Sequence, residues 1–281
     1  MSYTLPLDPI ARMAKKFFGI ATCLMFCLAL LLPTFTHAQN AIVTENSLTG
    51  NPSSEWQISG AGDLTVQGFA TDMSVNAGSS ISFKIDAPAG VSCSVKIYRL
   101  GYYGGNGARL VATLSDFTAV AQPGCVTDAA TGIVDCGNWN TNASWSVPSN
   151  AVSGVYIAKV TRLDTQGSSH IYFVVRDDAG AHDLMFKTSD ATWQAYNVYG
   201  DNSLYVGTTS YPAGHAVKVS YNRPVITRNG GGGGGAGQDG IFNAEYPMLR
   251  WLERNGYDVA YATDVDMARD ASSITPSKYK V

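Results

Sequence analysis

Apolar and polar residues alternate along the chain from about Asp63 to Arg176, and this two-residue period is the feature that most limits the possible folds. Such a period sends successive side chains to opposite faces of a strand, so that one face can enter a core. The clearest runs, each bounded by turn-forming residues, are Ile81–Ile85, Cys93–Ile97, Val155–Ile157 and Ile171–Val175. Because no helical pattern separates these short strands, we predict an antiparallel β-sandwich of immunoglobulin-like size over residues 63–178.

After Gly180 the pattern changes to apolar segments of strand length with helical segments between them. The strand candidates are Leu184–Phe186, Val217–Tyr221 and Tyr257–Tyr261. Capping side chains at Thr188–Asp190 predict a helix through Trp193, and the acidic segment Asp264–Asp270 is expected to be a loop or a short helix. Strand–helix–strand order is typical of parallel pairing, so we predict an α/β domain over residues 179–281.

The clearest helix signal lies at Pro247–Asn255. Pro247 suits the first turn of a helix, and Gly256 suits the residue that ends one. The apolar residues of this segment share one predicted face, which consists of Met248, Leu249, Trp251 and Leu252. We expect this face to be the buried one, because a surface helix turns its apolar stripe toward the core.

Residues 1–38 carry the pattern of a secretion signal. A short basic region at 12–16 precedes an apolar run from Phe17 to Leu32, and Thr36-His37-Ala38 fits a cleavage site. The run is shorter than the roughly 20 apolar residues that span a bilayer, so we predict cleavage and no membrane segment afterwards. We expect a secreted or periplasmic protein whose mature chain begins with a linker, or a first irregular strand, over residues 39–62.

Export determines how the cysteines and the charges are interpreted. Two of the five cysteines leave with the signal, and Cys125 and Cys136 enclose a short loop of turn residues. An oxidising compartment therefore favours a disulfide between them, whereas Cys93, in an alternating strand, is expected to be a small buried hydrophobe. Cleavage leaves 16 basic against 21 acidic residues, which argues against a nucleic-acid partner, since that requires a basic surface.

Two common catalytic patterns are missing from the sequence. It has no Gly-x-Ser-x-Gly elbow that would support a serine hydrolase. The glycine run Gly230–Gly235 lacks the spacing and the Lys-Ser/Thr pair of a phosphate-binding loop. We interpret that run as a flexible loop and expect no nucleotide.

Polar and aromatic residues are densest in three segments of the second region. These segments are Thr192-Trp193-Gln194-Ala195-Tyr196-Asn197, Ser203-Leu204-Tyr205 and Ser220-Tyr221-Asn222-Arg223-Pro224. They follow a predicted strand, and open α/β sheets bind ligands at the carboxyl ends of their strands. The residues alone leave a second interpretation open, in which Trp193, Tyr196 and Tyr205 pack a seam between domains. Arg223 would then be a structural ion-pair partner.

Short motifs in a fixed order run from about Gly68 to Asp266. They are Ile97-Tyr98-Arg99-Leu100-Gly101-Tyr102-Tyr103-Gly104-Gly105, Ser153-Gly154-Val155-Tyr156, Phe173-Val174-Val175-Arg176-Asp177, Thr192 to Asn197, Asn222-Arg223-Pro224, and Glu245-Tyr246-Pro247-Met248 through Trp251-Leu252-Glu253 to Gly256-Tyr257-Asp258. Together they resemble the family typified by the large (β) subunit of N,N-dimethylformamidase. The resemblance implies a β-sandwich followed by an α/β domain like that of class I glutamine amidotransferases.

The resemblance also implies hydrolysis of a non-peptide amide at a mononuclear iron held by two tyrosines and a glutamate. Tyrosinate and carboxylate are hard anionic ligands that suit ferric iron, which would polarise the amide carbonyl and lower the pKa of a bound water. By position, Tyr196 resembles the first tyrosine ligand, Tyr205 is our choice for the second, and Tyr221 is the alternative. Asn197 and Arg223 are expected to support these ligands or to position the substrate.

The resemblance places the carboxylate ligand in a His-x-Glu-Tyr segment beyond Lys280. We therefore expect the α/β domain to be incomplete in these 281 residues, which alone would be inactive and bind iron weakly or not at all. The expected partner is a small amide or an unknown molecule, and a homo-oligomer is left open.

A second, non-catalytic hypothesis is a secreted β-sandwich that binds polysaccharide or protein. Tyr98, Tyr102 and Tyr103 lie beside Gly104-Gly105 and would form an aromatic surface on a loop. The alternative for these tyrosines is that they pack the sandwich against the second domain.

Overall fold

The computed structural model describes residues 40–207, 214–226, 240–270 and 278–280, and this part of the chain is mostly β-sheet with short helices. The predicted signal segment and the glycine run lie outside the described residues. The strands are β1 (Gln67–Ala70), β2 (Ser74–Asn76), β3 (Ser80–Asp86), β4 (Ser92–Leu100), β5 (Ala108–Thr113), β6 (Phe117–Thr118), β7 (Val126–Asp128), β8 (Ile133–Asp135), β9 (Thr141–Ser146), β10 (Gly154–Arg162), β11 (Ser168–Arg176), β12 (Leu184–Lys187) and β13 (Val259–Ala262). The helices are α1 (Ala41–Asn46), α2 (Ser53–Trp56), α3 (Asp190–Tyr196), α4 (Ile241–Ala244), α5 (Tyr246–Arg254) and α6 (Asp264–Arg269).

Two sheets of the first region face each other across one core. The smaller has the order β1-β3-β9, and the larger has the order β2-β11-β10-β4-β5, with β6 also paired to β4. Phe83 from the smaller sheet and Phe173 from the larger lie 5.6 Å apart between ring centroids. Trp145 and Tyr156 make an equivalent contact between the sheets at 5.7 Å. The alternating residues predicted from the sequence therefore supply this core.

The larger sheet is buried on its other face as well. Tyr98, Ile157 and Tyr172 point away from the first core and belong to a second apolar cluster. Val259 and Tyr261 of β13 lie in the same cluster. The strands of this sheet thus carry apolar residues on both faces because the second region of the chain covers one of them.

Residues 40–62, which we interpreted as a linker or irregular strand, instead form α1 and α2 and pack against the rest of the chain. The Asn40 side chain caps α1 by accepting the Val43 N–H at 2.9 Å. Ile42 and Trp56 are both fully buried, and the Trp56 ring stacks on Phe242. Helices this short contain too few apolar residues to show a period, which is why the sequence pattern missed them.

In the second region, β12 and β13 pair in parallel, from Leu184 opposite Val259 to Lys187 opposite Ala262. Tyr279 adds a parallel bridge to His182, two residues before β12. The predicted strand at Val217–Tyr221 does not form. The Val217 N–H instead donates to the Thr131 carbonyl at 2.9 Å, in the loop between β7 and β8.

Helix α5 lies where Pro247 and Gly256 predicted it, but its buried face differs from the prediction. Met248 and Trp251 are about half exposed, at 51% and 52%. The buried side chains are Tyr246, Leu249 and Glu253, whose spacing follows one helix face. Glu253, a charged residue, lies on the buried face of the helix because it meets a charged partner from the larger sheet.

That partner is Arg99 of β4, and the pair is fully buried. Arg99 Nη1 lies 2.9 Å from Glu253 Oε2, and both side chains have no exposed surface. Arg99 Nη2 also donates to Glu253 Oε1 at 2.9 Å, so the contact is bidentate. Tyr261 donates its hydroxyl to the same carboxylate at 2.8 Å. The pair therefore links the larger sheet to α5 and β13.

Candidate metal-binding tyrosines

Tyr196 and Tyr205 are brought together by a tight turn that docks on the end of α3. The Ser203 N–H donates to the Val206 carbonyl at 2.7 Å, which closes the turn. Ser203 Oγ accepts the N–H groups of Tyr205 and Val206 at 3.2 and 3.0 Å. The Leu204 N–H donates to the Ala195 carbonyl at 2.9 Å, and this bond holds the turn against the helix.

The two tyrosine rings stack almost parallel as a result. Their centroids are 4.2 Å apart with an interplanar angle of 11°. Tyr205 is 58% exposed, whereas Tyr196 is half-buried. Two phenol groups, which are hard oxygen donors once ionised, thus lie side by side at a surface that a small molecule can reach.

Arg223 is completely buried, and among the described residues it donates only to backbone carbonyls. Its Nη1 donates to the carbonyls of Tyr199 and Asn202, and its Nη2 donates to those of Gln194 and Asn197, all at 3.0 Å. No ion pair to Arg223 occurs within the described residues, and its Nε has no hydrogen-bond partner there. Burial lowers the pKa of Arg223 to about 10, so it stays charged at neutral pH. Through these four carbonyls, Arg223 holds the chain between the two tyrosines.

Asn197 is also fully buried, and its side chain bonds to the backbone that follows Arg223. Its side-chain amide donates to the Pro224 carbonyl at 2.8 Å, and its Oδ1 accepts the Ile226 N–H at 3.1 Å. These bonds fasten the end of α3 to the chain that follows Arg223. Asn197 and Arg223 are both enclosed by protein atoms in this arrangement.

Tyr221, the alternative ligand, points to a different partner. Its hydroxyl donates to Asp190 Oδ2 at 3.1 Å. Burial, together with the Asp190 charge, raises the pKa of Tyr221 well above its usual value. A raised pKa opposes formation of a tyrosinate.

Trp193, in the same helix as Tyr196, packs the seam that the second interpretation proposed. It is 3% exposed and meets the edge of Tyr172 from the larger sheet at 6.2 Å. The seam interpretation therefore describes Trp193, while the exposed Tyr205 does not fit it.

Glu245 is a buried acid that the sequence analysis did not single out. It precedes α5, is 6% exposed, and its Oε1 accepts the Ser189 N–H just before α3. Its Oε2 has no hydrogen-bond partner within the described residues. Burial raises the pKa of Glu245 to about 7, and the Ser189 bond opposes this shift only in part. No local sequence pattern signals such an acid, because its burial depends on helices that are distant in the chain.

The aromatic surface of the non-catalytic hypothesis does not exist as proposed. Tyr98 and Tyr103 are 0% and 2% exposed, and only Tyr102 is half-exposed. The Tyr103 hydroxyl donates to Glu45 Oε1 at 2.8 Å in the interior. These tyrosines pack the sheet against α1 and α5, because their rings fill the second apolar cluster and the polar network beside it.

The parts of the chain that the structure describes contain no group of three or more His, Cys, Asp or Glu side chains that could hold a metal ion. The same parts contain no helix that is long and apolar enough to cross a membrane.

The sequence family described as "N,N-dimethylformamidase beta subunit-like, C-terminal" matches residues 94–281, which is more than half of the chain. No curated protein matches the chain. A solved chitin binding domain from Burkholderia pseudomallei is 19% identical, with a TM-score of 0.22, and the match covers 44% of this chain and 60% of that one. Murine CEACAM1b is 12% identical, with a TM-score of 0.21, covering 43% of this chain and 61% of that one. The chain spans about three fifths of either structure's length, and both likenesses are too weak to support an argument.

Proposed function

This chain belongs to the N,N-dimethylformamidase beta subunit-like, C-terminal family, and we propose on that basis that it supplies two tyrosine ligands to the iron of an exported amide hydrolase. The substrate class is a small, non-peptide amide. The observation that carries the proposal is the stack of Tyr196 on Tyr205, with 4.2 Å between ring centroids. The resemblance selected these two tyrosines among 15 in the sequence, and the fold brings their rings into contact.

The donor set fits ferric iron as far as the described residues extend. Two phenols are hard oxygen donors, and the resemblance implies a carboxylate as the third ligand. Bound iron would act as a Lewis acid toward the amide carbonyl and provide a nucleophile at neutral pH. Tyr205, at the surface, leaves an approach for a small amide. Arg223 fixes the backbone between the two tyrosines, and Asn197 fixes the end of α3, so that together they set the separation of the two phenols.

The architecture of the family also guides our interpretation of the two regions. We interpret residues 63–178 as an immunoglobulin-like sandwich and residues 179–281 as part of a class I glutamine amidotransferase-like α/β domain. The two-sheet core supports the first interpretation, and the parallel β12–β13 pair supports the second. The Cys125–Cys136 disulfide is in keeping with export to an oxidising compartment.

The proposed activity is tested in a version of the protein that also carries the carboxylate segment. The iron-loaded protein should release amine from small N-alkylamides, and Tyr196→Phe should abolish the release because iron loses a ligand. Tyr102→Phe is the matched control, since Tyr102 is half-exposed and its ring contacts the guanidinium of Arg254 in α5. Amine release by Tyr196→Phe at the unmodified rate would exclude the proposed role of this tyrosine.

A further inference from the structure

The strands β7 and β8 form a small hairpin that is closed by the Cys125–Cys136 disulfide. All three residues of β7 are exposed, and within the described residues β7 pairs only with β8. A two-stranded hairpin is marginally stable by itself in water. The disulfide is therefore a main constraint on its shape.

The hairpin contacts the segment that carries Tyr205 through its backbone. The Gly132 carbonyl accepts the Asn202 side-chain amide at 3.1 Å, and the Thr131 carbonyl accepts the Val217 N–H at 2.9 Å. At the other end, the Cys136 N–H donates to the Asn222 carbonyl at 2.6 Å. One partner of the last bond is thus a residue of the disulfide itself.

Side chains extend this contact along β8. Asp135 Oδ2 accepts the Ser220 hydroxyl at 2.5 Å and the Asn222 amide at 3.2 Å. Val134 packs with Cys136 and Tyr199 in a separate apolar cluster. The hairpin therefore touches the chain both before and after Tyr205.

Glycines at the contact show how closely the two segments approach. A Cβ on Gly132 would lie 2.5 Å from Asn202 Nδ2, and a Cβ on Gly200 would lie 2.8 Å from Val134 Cγ1. Both residues also have positive φ angles, of 72° and 79°, which glycine adopts without strain. The fit leaves no room for the hairpin to shift without moving residues 200–202.

Those residues lead directly into the turn of Tyr205. Asn202 precedes Ser203, whose carbonyl accepts the Ala216 N–H at 2.7 Å. Ser203 in turn forms the hydrogen bonds that hold Tyr205 against Tyr196. A continuous set of contacts thus runs from the disulfide to the tyrosine pair.

We propose that the disulfide-closed hairpin positions the Tyr196–Tyr205 pair, so that the pair becomes organised only when Cys125 and Cys136 are oxidised. The consequence of this positioning for catalysis rests on the proposed function, whereas the positioning of the tyrosines by the hairpin does not. Bond formation removes two electrons and two protons from the two thiols. A disulfide oxidant accepts them by thiol–disulfide exchange and leaves as two thiols. In a reducing compartment the tyrosines would remain poorly positioned.

The test is amide hydrogen exchange on the oxidised chain, on the chain reduced with dithiothreitol, and on Cys125→Ser/Cys136→Ser. The informative amides are those of Cys136, Leu204 and Val217, whose hydrogen bonds belong to the hairpin contact or to the turn. Reference amides in the larger sheet, such as those of Ile157 and Val174, report global opening. Val126→Ser is the matched control, because it alters an exposed hairpin residue and keeps both cysteines.

Loss of the disulfide should speed exchange of the three informative amides at least about tenfold more than that of the reference amides. Reoxidation of the reduced chain should restore the protection, and Val126→Ser should behave like the unmodified chain. An equal increase at all amides, or none, would overturn the proposal. Hydrogen exchange does not depend on iron, so the two proposals can fail separately. If loss of the disulfide speeds exchange in this segment but the protein never binds iron, the proposed function is rejected and the positioning role of the hairpin stands.

Discussion

Replacement of Arg99 by methionine should lower the free energy of unfolding by about 3–5 kcal/mol, because it leaves the Glu253 carboxylate buried without its cation. Both side chains have no exposed surface and form two hydrogen bonds to each other at 2.9 Å. Among the described residues, Glu253 would keep the Tyr261 hydroxyl at 2.8 Å and the Asn46 amide at 2.7 Å as its side-chain donors. Neutral donors do not compensate a buried charge as a guanidinium does.

Denaturant unfolding of a small set of variants separates the charge from the volume of the side chains. The double variant Arg99→Met/Glu253→Met removes both charges and should recover most of the loss, since an apolar pair can replace a buried ion pair. Arg269→Met breaks the exposed pair with Asp72, whose side chains are 59% and 38% exposed, and should cost at most about 1 kcal/mol. The losses of stability of Arg99→Met and Glu253→Met, measured separately, provide the comparison. If the double variant loses as much stability as the sum of these two losses, packing and not charge holds this junction.

Glu245→Gln should make the protein more stable at pH 8 and remove part of its pH dependence. Burial raises the pKa of Glu245 to about 7 from the ordinary value of 4.5. Between these pH values the folded state keeps a proton that the unfolded state has lost, so stability falls as pH rises and then levels off above pH 7. The loss for this single group is about 3 kcal/mol, at 1.36 kcal/mol for each pKa unit.

The measurement is the free energy of unfolding of the unmodified protein and of Glu245→Gln between pH 4 and pH 8. The difference between them should grow in favour of the variant as pH rises, and glutamine can still accept the Ser189 N–H. Glu55→Gln, at an exposed glutamate, is the control. A difference that does not change with pH would mean that Glu245 has the same pKa in the folded and the unfolded protein.

The regular elements were predictable wherever a local pattern decides them. The period of two located β3, β4, β10 and β11, since their inward residues fill a core between two sheets. Pro247 and Gly256 located α5 because they act on the helix ends. The strand predicted at Val217–Tyr221 failed because alternation needs a neighbouring strand, and these residues bond instead to the β7–β8 hairpin.

The candidate site depended more on contacts between distant parts of the chain. The family resemblance selected Tyr196 and Tyr205, but their stacking comes from the turn that docks on α3. The four carbonyls around Arg223 have no sequence signature, because any residue can supply a carbonyl. The buried face of α5 was misjudged because the burial of Glu253 depends on Arg99 in a distant strand.

The central claim is that Tyr196 and Tyr205 bind ferric iron, and visible absorption of the iron-loaded protein, in a version that carries the carboxylate segment, tests it most directly. Tyrosinate bound to ferric iron absorbs visible light, so the unmodified protein should be coloured. The band should weaken sharply in Tyr196→Phe and in Tyr205→Phe, and should persist in Tyr102→Phe and Tyr221→Phe. An unchanged band in Tyr196→Phe, or a band that disappears only in Tyr221→Phe, would contradict this assignment.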